Sequence, residues 1–440
     1  MKTKTRDTSA YGLPYLSGLL RLETKRNMAH IARETDVAEQ NLQQFISDSP
    51  WSGQNTVDQV QVEVRERPEF HQGSVLLLDE SAEVKSGETT AGGRRQHNGR
   101  LGKIENSQVG VFLSLVNNGH HLWIDGDLFL PECWFTPEYA AKRKRVGIPS
   151  ERTFETKLEI GLRKIKQVRD NEVPFDAVDC DTLYGRSGGF RDQLAQEQLE
   201  YYADVPANIK VYRQRPQLHW PLTKQGTRAK KPEVSMTPIS VADLALHATT
   251  VWQTITVRPN ERGHLVADFA RHQVWTIRPD GTLRAEWLII RRDRQQKQTT
   301  YSLSNAPVDT PLEIMAQRKS QRYFIERSNQ DAKSELGWDE CQAIKYRAWE
   351  HHLAFTILAS WFILETKLDW LRDHPPQTEL LETYQTDVLP NLSVANVRTL
   401  LRAVMPLPQL SPLDAAQLVI KHLDNRTRSR KSRLKKALSP

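Results

Sequence analysis

The chain has 440 residues, of which 38% are apolar and 26% charged, enough to bury a substantial core in roughly two to four domains. Its longest apolar run, 353–364, is far short of the ~20 residues that cross a bilayer, and Pro14 and Gly18 break the apolar part of the first twenty residues, so neither a membrane span nor a signal peptide is expected. Three scattered cysteines without a C-x-x-C pair exclude a zinc ribbon and a disulfide framework, and 61 basic against 54 acidic residues (net +7) lean toward an anionic partner in a reducing, cytoplasmic setting.

Residues 1–70 read as helical. Within them Ile31, Val37, Leu42 and Ile46 let two short helices share a core with a break near Thr35-Asp36, a helix-turn-helix-like spacing suited to DNA but common to any small bundle. From residue 74 strands take over. "SVLLLDES" (74–81) is an apolar run ending in two acids, and 109–119 and 120–131 form a hairpin turning at Asn117-Asn118-Gly119. A helix over 151–171 carries Phe154, Leu158, Leu162, Ile165 and Val168 at helical spacing. The strand "FDAVDCD" (175–181), a loop and short helix (183–200) and the strand "YYADVPA" (201–207) follow. That order predicts an α/β fold, a mixed sheet flanked by helices. After a polar connection (208–250), period-2 runs to residue 305 describe a small antiparallel β-rich insertion, and helices resume over 310–336 and 347–371. The expected domains are thus 1–70, helical and DNA-binding; 71–207 with 306–375, catalytic; 208–305, the insertion; and 376–440, helical with a basic tail.

Basic blocks at 142–145, 226–231 and 426–436 are of the kind that neutralise phosphates, although each also reads as a solvated loop or tail. Among the acids, Asp79 and Asp181 end strands, where carboxylates of neighbouring strands converge, and Glu326 comes from a helix packed on the sheet. Three carboxylates without a thiolate or imidazole make an all-oxygen site for Mg2+ or Mn2+. Glu80 and Asp179 stand beside them as alternatives, and a strand-end aspartate also serves as a cap or turn residue. His120 and His121 face opposite ways on a strand and are rejected as a metal pair.

The segments "LLLDES", "GRRQHNGRLGKIENSQVGVFLSL", "LPECW", "VGIPSERTFETKLEIGL", "VPFDAVDCDTLYGR" and "RYFIERSNQDAKSELGWDE" together resemble the DDE transposases of bacterial insertion sequences, most closely insertion sequence family 701, related to family 4. The resemblance runs in order from about residue 40 to 370 and implies an RNase H-like catalytic domain with a β-rich insertion before the last acid. It makes Asp79, Asp181 and Glu326 the catalytic, metal-binding acids, and it places Tyr184 and Gly185 in a D-x-x-Y-G motif. Arg322, Glu326 and Lys333 match a Tyr-x2-Arg-x3-Glu-x6-Lys pattern whose tyrosine position holds Lys319. On a helix these three lie within about 40° of one another, so the two cations flank the glutamate; the bland reading is an Arg-Glu salt bridge. DNA contacts are expected at Arg322, Lys333, Lys103, Arg100, Lys319 and Tyr184, with Trp252, Trp275 and Trp287 able to stack on a base or serve as core. The implied function is a Mg2+-dependent transposase; the alternatives are a catalytically inactive, transposase-derived DNA-binding regulator and a related DNA endonuclease without strand transfer. Its implied partners are double-stranded DNA, at element ends and target, and a second copy in a homodimer on paired ends, with no membrane.

Overall fold

The computed structural model describes residues 7–87, 89–99, 101–221, 232–260, 263–278, 280–293, 298–373, 393–404 and 420. Four helices open the chain: α1 (Gly12–Arg21), α2 (Met28–Thr35), α3 (Glu39–Ser47) and α4 (Gly53–Arg65). Asp36, left-handed at φ 50°, ends α2 where the sequence placed the break. Strands β1 (Val75–Val84), β2 (Arg94–Asn98), β3 (Lys103–Asn117) and β4 (His120–Phe129) come next. Asn118 and Gly119, at φ 47° and 82°, make the tight β3–β4 turn, a conformation that asparagine and glycine tolerate best.

The chain then alternates: α5 (Ala140–Val146), α6 (Lys157–Asp170), β5 (Ala177–Cys180), α7 (Thr182–Gly185), α8 (Gly188–Gln196) and β6 (Tyr201–Val205). Helix α6 starts later than its apolar spacing suggests because Thr156 and Glu159 form a reciprocal capping box. Short strands β7 (Lys210–Val211), β8 (Leu218–His219), β9 (Glu233–Val234) and β10 (Ile239–Ser240) and helix α9 (Val241–Ala245) lead to β11 (Gln253–Asn260), β12 (Gly263–Ile277), β13 (Leu283–Arg292) and β14 (Thr299–Ser304). Helices α10 (Leu312–Ser320), α11 (Tyr323–Ser334), α12 (Tyr346–Asp373) and α13 (Val394–Val404) complete the described elements.

Among the described residues one ten-stranded sheet runs β11-β12-β13-β14-β6-β5-β1-β3-β2, with β4 also on β3. Its middle, β4-β3-β1-β5-β6, has three antiparallel strands followed by two parallel to β1, the RNase H-like order. The short strands pair as two small sheets, β10-β7 and β8-β9, whereas β11–β14 do not close a sheet of their own. Pairing of Tyr301–Ser304 with Tyr202–Val205 joins them to the central sheet through β14 and β6. The N-terminal helices likewise share a core with that sheet: Leu42, Phe45, Trp51 and Val60 are buried in the same cluster as Leu76, Phe112, Trp123 and Phe355. The chain divides into two compact units, Met1–Arg398 and Thr399–Pro440, and all the strands and helices through α12 belong to the first. No helix among the described residues is long and apolar enough to cross a membrane.

Candidate active site

The strand register assembles the site. Leu78 is the last β1 residue paired with β5, opposite Cys180, and Cys180 is opposite Ala203 on β6. The next residue on each of three parallel strands is an aspartate: Asp79, Asp181 and Asp204. Neighbouring strands lie about 4.8 Å apart, so these carboxylates line up at the C-terminal edge of the parallel strands. One oxygen each from Asp79, Glu80 and Asp181 lies within 4.8 Å of the others. Of the expected catalytic acids the structure therefore brings Asp79 and Asp181 together and adds Glu80, the alternative beside Asp79 in the sequence.

Each acid is held. Asp79 Oδ1 accepts the Glu80 amide at 2.9 Å, and its Oδ2 lies 3.5 Å from Arg322 Nη2. Asp181 does cap a helix: its Oδ1 accepts the Leu183 amide of α7 at 2.9 Å. Glu80 pairs with Lys157 at 3.2 Å. Burial pushes the Asp79 carboxyl up to about 7; Arg322 opposes the shift, and the nearby Asp181 and Glu80 charges add to it. Burial and Glu80 also raise Asp181.

Helix α11 packs on β1, β3 and β4. Phe324 and Ile325 pack on Val75, Leu77 and Val116, and the helix is tied at its start by Arg322 to Asp79 and at its end by Lys333 to Glu83 at 2.6 Å. Glu326 stands between these ties, one turn after Arg322, and is exposed; it is not among the acids grouped within 4.8 Å. The single helix expected over 310–336 is interrupted at Gln321 and Arg322, where α10 hands over to α11.

The other expected DNA contacts fall differently. Tyr184 has no solvent exposure and its ring packs against Gly161 and Phe190, so its side chain belongs to the core and is not presented to DNA. Lys319 is buried, its Nζ 2.5 Å from Asp204 Oδ1, and likewise offers no surface charge. Lys103 is exposed on β3 beside Glu105, at 2.8 Å. Arg100 and the basic segments 226–231 and 426–436 lie outside the described residues; in α5 Lys144 and Arg145 are exposed, while Arg143 is spent on the carbonyls of Pro149 and Arg152. Trp252, Trp275 and Trp287 are half-buried, each with an arginine over its ring: Arg292, Arg215 and Arg271, at 3.9, 5.5 and 4.5 Å.

Sequence reasoning missed Asp204. Its signal was an aspartate at the end of a third apolar strand, "YYAD", in register with the first two.

A family model described as DDE superfamily endonuclease matches residues 2–264, more than half of the chain and a span that holds both Asp79 and Asp181. The chain belongs to this family. The DDE endonuclease is also similar to the probable transposase for insertion sequence element IS701 of Microchaete diplosiphon, 25% identical over 313 residues that cover 70% of each chain. The resemblance read from the motifs is thus borne out for the family, and the RNase H-like order of the sheet accords with it.

The raised Asp79 carboxyl has a measurable consequence. With metal chelated, the folded protein keeps a proton on Asp79 between about pH 4 and 7, where the unfolded chain has lost it. More protons bound in the folded state means that stability falls as pH rises through this window. A cation needs the ionised carboxylate, so Mn2+ affinity measured by calorimetry should rise from pH 5.5 to 7.5. Asp79→Asn should weaken both trends, with part of the stability trend kept by Asp179 and Glu350, held up to about 8 and 7 by burial, and a melting temperature whose pH dependence it leaves untouched would exclude Asp79 as a source.

Proposed function

We propose that this DDE endonuclease is a transposase: it binds the terminal inverted repeats of an insertion sequence, cleaves at the element ends and joins the 3' ends to target DNA. The observation that carries the reading is the register that sets Asp79 beside Asp181, with Arg322 on Asp79, in a chain of this family. The similarity to the probable transposase for IS701 supports it.

The donor set fits Mg2+, with Mn2+ as substitute: it is all carboxylate oxygen, and a cation would offset the burial, and the smaller charge crowding, that hold the Asp79 proton to about 7. Asp79, Glu80 and Asp181, whose oxygens already converge, would hold the ion; Glu326, exposed on α11 one turn after Arg322, would join them as the third acid that the sequence motif implies. When bound, such ions activate the attacking oxygen and stabilise the leaving one in an in-line displacement.

The chain's own residues do the rest. Arg322 and Lys333 flank Glu326 on α11 and take the phosphates on either side of the scissile bond, exchanging their present partners Asp79 and Glu83 for DNA oxygens. Lys103, Lys144 and Arg145 add sequence-independent grip. Water attacks phosphorus first and the freed 3' hydroxyl attacks second, so one constellation serves both steps. Two copies on paired DNA ends make the working assembly.

A supercoiled plasmid carrying the element ends, incubated with the protein and Mg2+, tests this. End-specific cuts and joined products are expected. Tight binding without cutting leaves a DNA-binding regulator, and cutting without joining leaves an endonuclease.

A further inference from the structure

Behind the paired acids lies a second set of charges that the reaction does not touch. Asp204 Oδ1 accepts Ser302 Oγ at 2.6 Å and lies 2.5 Å from Lys319 Nζ, while its Oδ2 is 3.8 Å from Arg322 Nε. The neighbouring Nη2 of the same guanidinium reaches Asp79 at 3.5 Å. Asp179, two residues before Asp181, is fully buried, and neither of its carboxylate oxygens has a hydrogen-bond partner among the described residues. Arg322 Nη1 is buried and unpartnered in the same sense.

Arg322 is thus shared between Asp79 and Asp204. Both of its contacts are longer than a tight ion pair, which closes at about 2.7 to 2.9 Å, so its position is a balance of pulls and not a lock. The weight on the Asp204 side is set by Lys319. Only 5% exposed at the end of α10, Lys319 spends its charge on Asp204 and leaves Arg322 to Asp79.

We propose that Lys319 is a positioning residue: by neutralising Asp204 it keeps Arg322 over Asp79, at the place where DNA phosphate and cation meet. This rests on the reading of Asp79 as a metal ligand. Without the lysine cation, Asp204 draws Arg322 away from Asp79. The acids at the strand ends then gain net negative charge and lose their oriented cation, which favours a divalent ion and disfavours the reaction.

The test uses the full chain, with Mn2+ affinity read by calorimetry, cleavage of the end-bearing plasmid, and the melting temperature. For Lys319→Met we expect Mn2+ to bind roughly tenfold more tightly while cleavage slows about tenfold or more. A general loss of packing does not produce that split. Lys319→Arg should restore both values, and Asp204→Asn, which removes an anion, should weaken Mn2+ binding.

Unchanged Mn2+ affinity in Lys319→Met, or a parallel fall in affinity and melting temperature, overturns the proposal. If Lys319→Met does not yield folded protein, Asp204→Asn decides alone: weaker binding supports the proposal, and unchanged or tighter binding overturns it. Failure of the wild type to bind Mn2+ overturns the metal reading together with this inference, whereas normal wild-type binding with unresponsive variants overturns this inference only.

Discussion

Asp79→Asn and Asp181→Asn are each expected to cut end-bearing DNA at least about a thousandfold more slowly than the wild type, a loss of about 4 kcal/mol of transition-state stabilisation, while still binding DNA and folding normally. Both side chains keep their size. Asparagine still accepts the Leu183 amide at position 181, because it caps helices as well as aspartate does. At position 79 the substitution removes a carboxylate that burial disfavours at neutral pH, so the metal-free variant should melt no lower than the wild type. Plasmid nicking and thermal melting separate the two effects. Glu326→Gln should match the loss of cutting, and because Glu326 is exposed its melting temperature should stay put. An active Glu326→Gln enzyme would return the third ligand to Glu80.

Gly185→Ala is expected to destabilise the protein by about 3 kcal/mol and to abolish cutting together with the fold around the site. The glycine closes α7, and a Cβ there would meet the backbone of β6, running into the Asp204 carbonyl and lying 2.9 Å from the Ala203 carbonyl carbon. Neither atom belongs to a flexible side chain, so the strand or the helix must move. Asp181 caps helix α7 and β6 carries Asp204, so either movement shears the acids out of line. The glycine of the D-x-x-Y-G motif is therefore a spacer between two acids, and its tyrosine fills the core beneath. Far-ultraviolet dichroism and thermal melting of the variant check this; a melting temperature within a degree or two of the wild type would show that the helix and strand can part at little cost.

Much of the local structure was legible because short-range chemistry decides it. The Asn118-Gly119 turn and the left-handed Asp36 follow from residues that tolerate positive φ. The two strand-end aspartates were legible for the same reason, since an acid closing an apolar run is a local pattern. The break between α10 and α11 was not, because no proline or glycine marks it: Arg322 is drawn at that point to Asp79 and Asp204, residues 243 and 118 positions away. The Lys319–Asp204 pair has the same origin. A cation expected at the surface is buried because its partner arrives from another strand, and no spacing along the chain reports that.

The junction of β6 with β14 has a bearing on how such enzymes can be recombined. Without β11–β14, the Tyr202–Val205 edge would offer its unpaired amides and carbonyls to any other chain, the usual route to edge-to-edge aggregation. Residues 208–305 are consequently not a cassette that can be trimmed or traded between relatives at its two ends. A chimaera has to carry the facing segments Tyr202–Val205 and Tyr301–Ser304 from one parent, and the acid that balances Arg322 travels with them.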